Sequence, residues 1–133
     1  PELVRVVKQA IRITSQDFSV IEGLRTHERQ AQLVASGKSQ TMNSRHLSGN
    51  AVDLAAWNGT IDWDEKYYYP IADAMIVSAK ELNVPLRWGA AWHQLDVREC
   101  SLDARTLCKQ YVARRIAEGR QPFLDFVHFE IPA

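Results

Sequence analysis

Apolar positions in residues 2 to 13 recur as Leu3, Val6, Val7, Ala10 and Ile11. That spacing follows the helical turn and predicts a helix laid on the core. From Asp17 the pattern shifts toward alternation and runs to Leu24 beside Gly23, as a strand would. Thr26 is placed to cap a second helix, which Ser36-Gly37 stops because glycine accepts a left-handed backbone. Residues 38 to 45 are rich in Ser, Thr and Asn and read as a loop. After a bend at Gly49-Asn50, residues 51 to 55 alternate, sending Val52 and Leu54 to the core and Ala51, Asp53 and Ala55 to a cleft. Residues 57 to 60 read as a turn. Residues 67 to 82 are helical, with Ile71, Met75, Val77 and Leu82 apolar and Pro70 in the first turn. Residues 85 to 89 predict a short strand. Residues 102 to 118 predict a helix with Leu107, Tyr111 and Ile116 inward and Gly119 as its stop. The run from Phe123 to Ile131 is dense in aromatic and β-branched residues and predicts a final strand. With 133 residues and no repeat or linker, the chain reads as one α+β domain, a small antiparallel sheet flanked by helices.

Composition narrows the function classes. Lys plus Arg equals Asp plus Glu, 16 each, which argues against a nucleic-acid partner. Arg114-Arg115 with Arg120 make one basic spot, read as a solvated helix face. No apolar run approaches the roughly 20 residues of a membrane span. The first residue is Pro1, so the chain is processed or a fragment, and no signal-peptide pattern opens it. Cys100 and Cys108 are too few for a disulfide framework and read as free thiols suited to a reducing compartment.

The chemistry concentrates in two segments, Ser44-Arg45-His46-Leu47-Ser48-Gly49-Asn50-Ala51-Val52-Asp53 and Asp125-Phe126-Val127-His128-Phe129-Glu130. They hold the inventory of a catalytic zinc site: three nitrogen or oxygen ligands, a place for water and a carboxylate for protons. A chain leaving His46 and bending at Gly49 returns Asp53 to the same point at little loop-closure entropy. His128 would complete the set when the last strand docks. A single His or Asp of this kind is usually an ordinary core, turn or salt-bridge residue; the combination at this spacing is far more specific. In a flat strand Asp125 and His128 face opposite sides, whereas Glu130 shares the parity of His128, so parity favours Glu130 as the base. His27-Glu28-Arg29-Gln30 lacks the second His of a thermolysin-type motif, and no Gly-x-Ser-x-Gly elbow or phosphate loop is present. His93, beside Trp92, reads as structural or cleft-lining.

The pattern Ser44-x-His46-x-x-Gly49-x-Ala51-x-Asp53 with a later His128 resembles the LAS-type zinc peptidases of the M15 group. These include D-alanyl-D-alanine carboxypeptidases and phage L-alanyl-D-glutamate endopeptidases. Glu22-Gly23-Leu24-Arg25-Thr26, Trp88-Gly89-Ala90-Ala91-Trp92 and the Asp125-x-x-His128-Phe129-Glu130 ending are similar to phage endolysins, so the resemblance runs from about residue 3 to 131. It implies a LAS/Hedgehog-like fold with one zinc ion in a cleft on the sheet, bound by His46, Asp53 and His128. Asp125 becomes the general base and acid, overriding the parity argument, and Glu130 moves to a supporting role behind His128. Arg25 would stabilise the oxyanion, and Ser44 and His93 would line the cleft. Two departures stand out: Ala90-Ala91 replace a Gly and a polar residue, and an insertion over about residues 94 to 122 is expected to form a helix over or beside the cleft.

The implied activity is zinc-dependent hydrolysis of the peptidoglycan stem peptide at the L-Ala–D-Glu bond, by a phage or prophage lysis enzyme. The alternatives are a D-alanyl-D-alanine carboxypeptidase and a non-catalytic zinc-stabilised binding module. The expected partner is cell-wall peptidoglycan, with the protein a monomer. It would be made in the host cytoplasm and reach the wall, periplasmic in a Gram-negative host, after holin-type release.

Overall fold

A computed structural model describes residues 2–23, 26–38 and 49–132. In chain order these form α1 (Glu2–Ile13), β1 (Phe18–Glu22), α2 (His27–Ala35), β2 (Ala51–Trp57), β3 (Ile61–Asp62), α3 (Tyr68–Leu82), β4 (Arg87–Trp88), α4 (Ala104–Ala117) and β5 (His128–Glu130). Short 3-10 turns occupy Glu65–Tyr67 and Val97–Glu99. The sheet runs β1-β2-β5-β4 with β3 also on β2, and every pairing is antiparallel. This is the α+β class expected from the pattern.

Local signals account for most boundaries. Thr26 caps α2 by accepting the Arg29 N–H at 3.1 Å, and Gly37 closes that helix with φ 79°. Asp103 caps α4 through the Thr106 N–H at 2.8 Å. Asp73 of α3 also takes the Ala104 N–H at 2.7 Å, which ties the start of α4 to α3. The Tyr68 hydroxyl donates to the Asp62 carbonyl at 2.7 Å and accepts the Ala56 N–H at 3.2 Å, so α3 is pinned to the β2–β3 hairpin. That hairpin was legible only as a turn, because a two-residue strand has too little alternation to register.

The core lies between the sheet and α1, α3 and α4. Val52, Leu54 and Ala56 of β2 join Trp88, Phe129, Ile71, Met75 and the α1 residues Leu3, Val6 and Ala10. The alternation in β2 therefore holds. Ala51 and Ala55 fall outside that cluster, yet they are 2% and 0% exposed, so their face is covered rather than open. Two expected core contacts, Ile11 and Ile116, are instead exposed, and so is the apolar Val77 of α3. The buried stripe of α4 is Ala104, Leu107, Cys108 and Tyr111. Ile116 lies five residues beyond Tyr111, roughly 140° round the helix at about 100° per residue. Ala90 and Ala91 are fully buried in the core. Both cysteines are free, Cys108 buried and Cys100 half-buried. Among the described residues no helix is long and apolar enough to cross a membrane.

The last strand is shorter than its composition predicts, covering three residues rather than nine. The preceding segment docks on β4 instead of extending the ladder. Asp125 N–H donates to the Gly89 carbonyl at 2.8 Å, Gly89 N–H to the His128 carbonyl at 2.8 Å, and His128 N–H to the Asp125 carbonyl at 3.1 Å. Residues 125 to 128 thus make a turn.

Candidate active site

The site is built where three strands meet. Asp53 of β2 stands opposite His128 of β5 in the antiparallel register. On its other side Asp53 faces Glu22, where the β1–β2 register shifts between Val20 and Glu22. Such irregularities re-aim side chains at strand ends. His128 Nδ1 lies 3.2 Å from Asp53 Oδ1, and His128 Nε2 lies 2.8 Å from Glu130 Oε1. The imidazole is therefore gripped at both nitrogens by carboxylates in a largely buried setting. Burial pushes its pKa down, but the bonds to Asp53 and Glu130 and the nearby Asp125 charge outweigh that and raise it to about 9.

Close backbone approach shapes the floor. A Cβ on Gly89 would overlap the Asp125 carbonyl and come within 3.0 Å of Asp125 Cβ and 3.1 Å of His128 Cβ. Only glycine lets the 125–128 turn seat there. An aromatic cluster supports that turn from below. Trp88 stacks on Phe129 at 6.3 Å, meets Phe126 edge-on at 6.0 Å, and donates its indole N–H to the Phe126 carbonyl at 2.9 Å. Trp92 walls the imidazole, with ring centroids 5.5 Å apart.

Residues 1–112 match the family described as phage L-alanyl-D-glutamate peptidase. The chain belongs to this family. Among its relatives, the L-alanyl-D-glutamate peptidase of Escherichia phage T5 is 36% identical over 98 residues, covering 70% of this chain and 72% of that protein. The enzyme of the same name from Listeria phage A118 is 40% identical over 74 residues, 55% of this chain and 25% of that longer protein. A solved structure, the Serratia marcescens L-Ala D-Glu endopeptidase ChiX, superposes with a TM-score of 0.71 and 34% identity over 98% of this chain and 78% of that one. The family match stops at residue 112, ahead of the Asp125–Glu130 segment; the likeness to ChiX carries on past that point.

Of the residues singled out from the sequence, the fold brings Asp53, Asp125, His128 and Glu130 together. His46, Ser44 and Arg25 lie outside the described residues. His93 is set apart from the carboxylates, stacked on Tyr111 at 5.9 Å. Asp125 sits in a turn rather than in the strand, so strand parity does not set its direction. Glu130 instead contacts the outer nitrogen of His128. The supporting roles of Gly89 and Trp92 were not among the expectations, although a glycine directly after Trp88 is a visible hint of close packing.

The donor set suits a zinc ion. Two ligands on a tetrahedral zinc with bonds near 2.0–2.1 Å stand about 3.3 Å apart. The Asp53 and His128 donor atoms are separated by 3.2 Å. Glu130 on the far ring nitrogen matches the carboxylate–histidine arrangement that orients metal ligands. Among the described residues no three His, Cys, Asp or Glu side chains form a complete site, so a third ligand would come from elsewhere, and His46 has the right chemistry.

Proposed function

We propose that the chain is a zinc-dependent endopeptidase that hydrolyses the L-Ala–D-Glu bond of the peptidoglycan stem peptide, as a lysis enzyme of a phage or prophage. The observation that carries this reading is the Asp53–His128 pair across β2 and β5, at metal-ligand spacing and backed by Glu130. The family and the names of its phage members support the choice of bond.

His46, Asp53 and His128 would hold the ion, which supplies Lewis acidity and lowers the pKa of water at the site. Glu130 fixes the imidazole so that Nδ1 stays aimed at the Asp53 side. Asp125, held beside His128 by its turn, takes the proton from the attacking water and delivers it to the leaving amine of D-Glu. Arg25 would steady the negative charge that develops on the carbonyl oxygen. Trp92 and the half-buried carboxylates of Asp53 and Glu130 keep the imidazole from rotating away.

Digestion of purified peptidoglycan followed by mass analysis of the released fragments tests this. The expected product carries a new D-Glu amino terminus. Release of D-Ala alone would assign a carboxypeptidase, and binding without cleavage would assign a binding module.

A further inference from the structure

Beside the site lies a cavity of about 310 Å³ that the proposed chemistry does not use. It is lined by Arg87, Arg114, Arg115 and Arg120, against a single carboxylate, Glu118. Trp92 forms the wall shared with the active site, since the same ring packs on His128 and takes the Arg87 guanidinium over its face at 5.0 Å. Arg87 is further held by donating to the Trp92 carbonyl. Arg115 is anchored by donating to the Gln121 carbonyl at 2.8 Å and lies over Tyr111 at 5.8 Å. His93, at the cavity wall, has both ring nitrogens buried without a direct hydrogen bond. Burial and the Arg114 charge hold it toward the neutral form, against a favourable influence from Gln110. A neutral overall chain has thus gathered four guanidiniums around one concavity that shares its Trp92 wall with His128.

We infer that this cavity is a carboxylate-binding subsite that receives the acidic groups following the scissile bond. The inference rests on the endopeptidase reading above. In an Ala–Glu bond the acyl side offers a neutral methyl, whereas the amine side carries the glutamate, which keeps one free carboxyl even when the other is joined to the next residue. Guanidiniums match carboxylates in bidentate geometry, and a partly enclosed wall strengthens the attraction over that of open solvent. The basic spot at Arg114-Arg115 and Arg120 is therefore a recognition surface rather than a solvated helix face. It also gives α4 a purpose: the helix docks by Leu107, Cys108 and Tyr111 and delivers its last turn to the cleft.

The test compares two stem peptides identical except that the D-Glu α-carboxyl is free or amidated. Wild type is expected to favour the free acid by about tenfold in kcat/KM, mostly through KM, and to lose that preference as salt is raised. Arg114→Gln and Arg120→Gln, both at exposed positions, are expected to bring the ratio toward one, and Arg114→Lys to restore part of it. Lys109→Gln, on α4 but outside the cavity, keeps the wild-type ratio. Equal wild-type cleavage of both peptides, or an unchanged preference in both arginine variants, overturns the subsite while leaving the endopeptidase reading intact. Cleavage of neither peptide by wild type overturns both.

Discussion

Raising the pH of metal-free protein isolates the electrostatics of His128. Its side chain is only 10% exposed and bridges Asp53 and Glu130. Burial disfavours its charge, but the two carboxylate bonds and the Asp125 charge win, lifting the pKa from 6.5 to about 9. The folded state then binds a proton that the unfolded chain releases between those values. Stability from this group is fully present below pH 6.5 and is lost as pH rises through about 9. At about 1.4 kcal/mol per pH unit, the gap is worth about 3 kcal/mol, a sizeable share of a small domain's total. Urea unfolding in the presence of chelator, followed by tryptophan fluorescence from pH 6 to pH 10, measures it. His128→Gln removes the slope as a control. Stability that stays flat or rises across that window in the wild-type protein refutes the electrostatic reasoning. With zinc present the trend reverses for affinity, because the metal must displace the same proton.

Asp125→Asn is expected to lower kcat by at least about 100-fold with zinc content unchanged, checked by turnover and metal analysis on the same sample. Retained turnover would move the proton-handling role to Glu130. Glu130→Gln keeps a hydrogen bond to Nε2 but removes its charge, and zinc affinity measured by chelator competition should fall by about 10- to 100-fold. Gly89→Ala forces a methyl against the Asp125 carbonyl, where backbone has no room to yield. A loss of about 1–3 kcal/mol in urea unfolding is expected, together with a drop in kcat as the 125–128 turn shifts.

Much of the fold was legible because its signals are local. The α1 stripe, the Thr26 and Gly37 boundaries of α2 and the alternation of β2 each follow from a few neighbouring residues. What escaped was tertiary. Ile116 is apolar and in a helix, but only the docking of α4 decides that its side faces water. Residues 123 to 127 have strand composition, yet the hydrogen bonds with Gly89 and the Asp125–His128 bond fold residues 125 to 128 into a turn. Strand parity therefore misjudged Asp125, and the motif's resemblance to its family was the better guide to its proximity to His128. The Asp53–His128 meeting was readable as an expectation because β2 carries a lone carboxylate among small residues and the last strand carries the imidazole that docks against it. The basic cavity was not, since Arg87, Trp92 and Arg114 converge only once β4 and α4 are placed side by side.

In the proposed enzyme, Asp53 and His128 share one metal ion. Anomalous diffraction at the zinc edge, from crystals grown with one equivalent of zinc, tests it directly. One strong peak per chain is expected between His128 Nδ1 and the Asp53 carboxylate, with the His46 imidazole as the third protein ligand. A peak held by other residues, or none at full zinc loading, contradicts it.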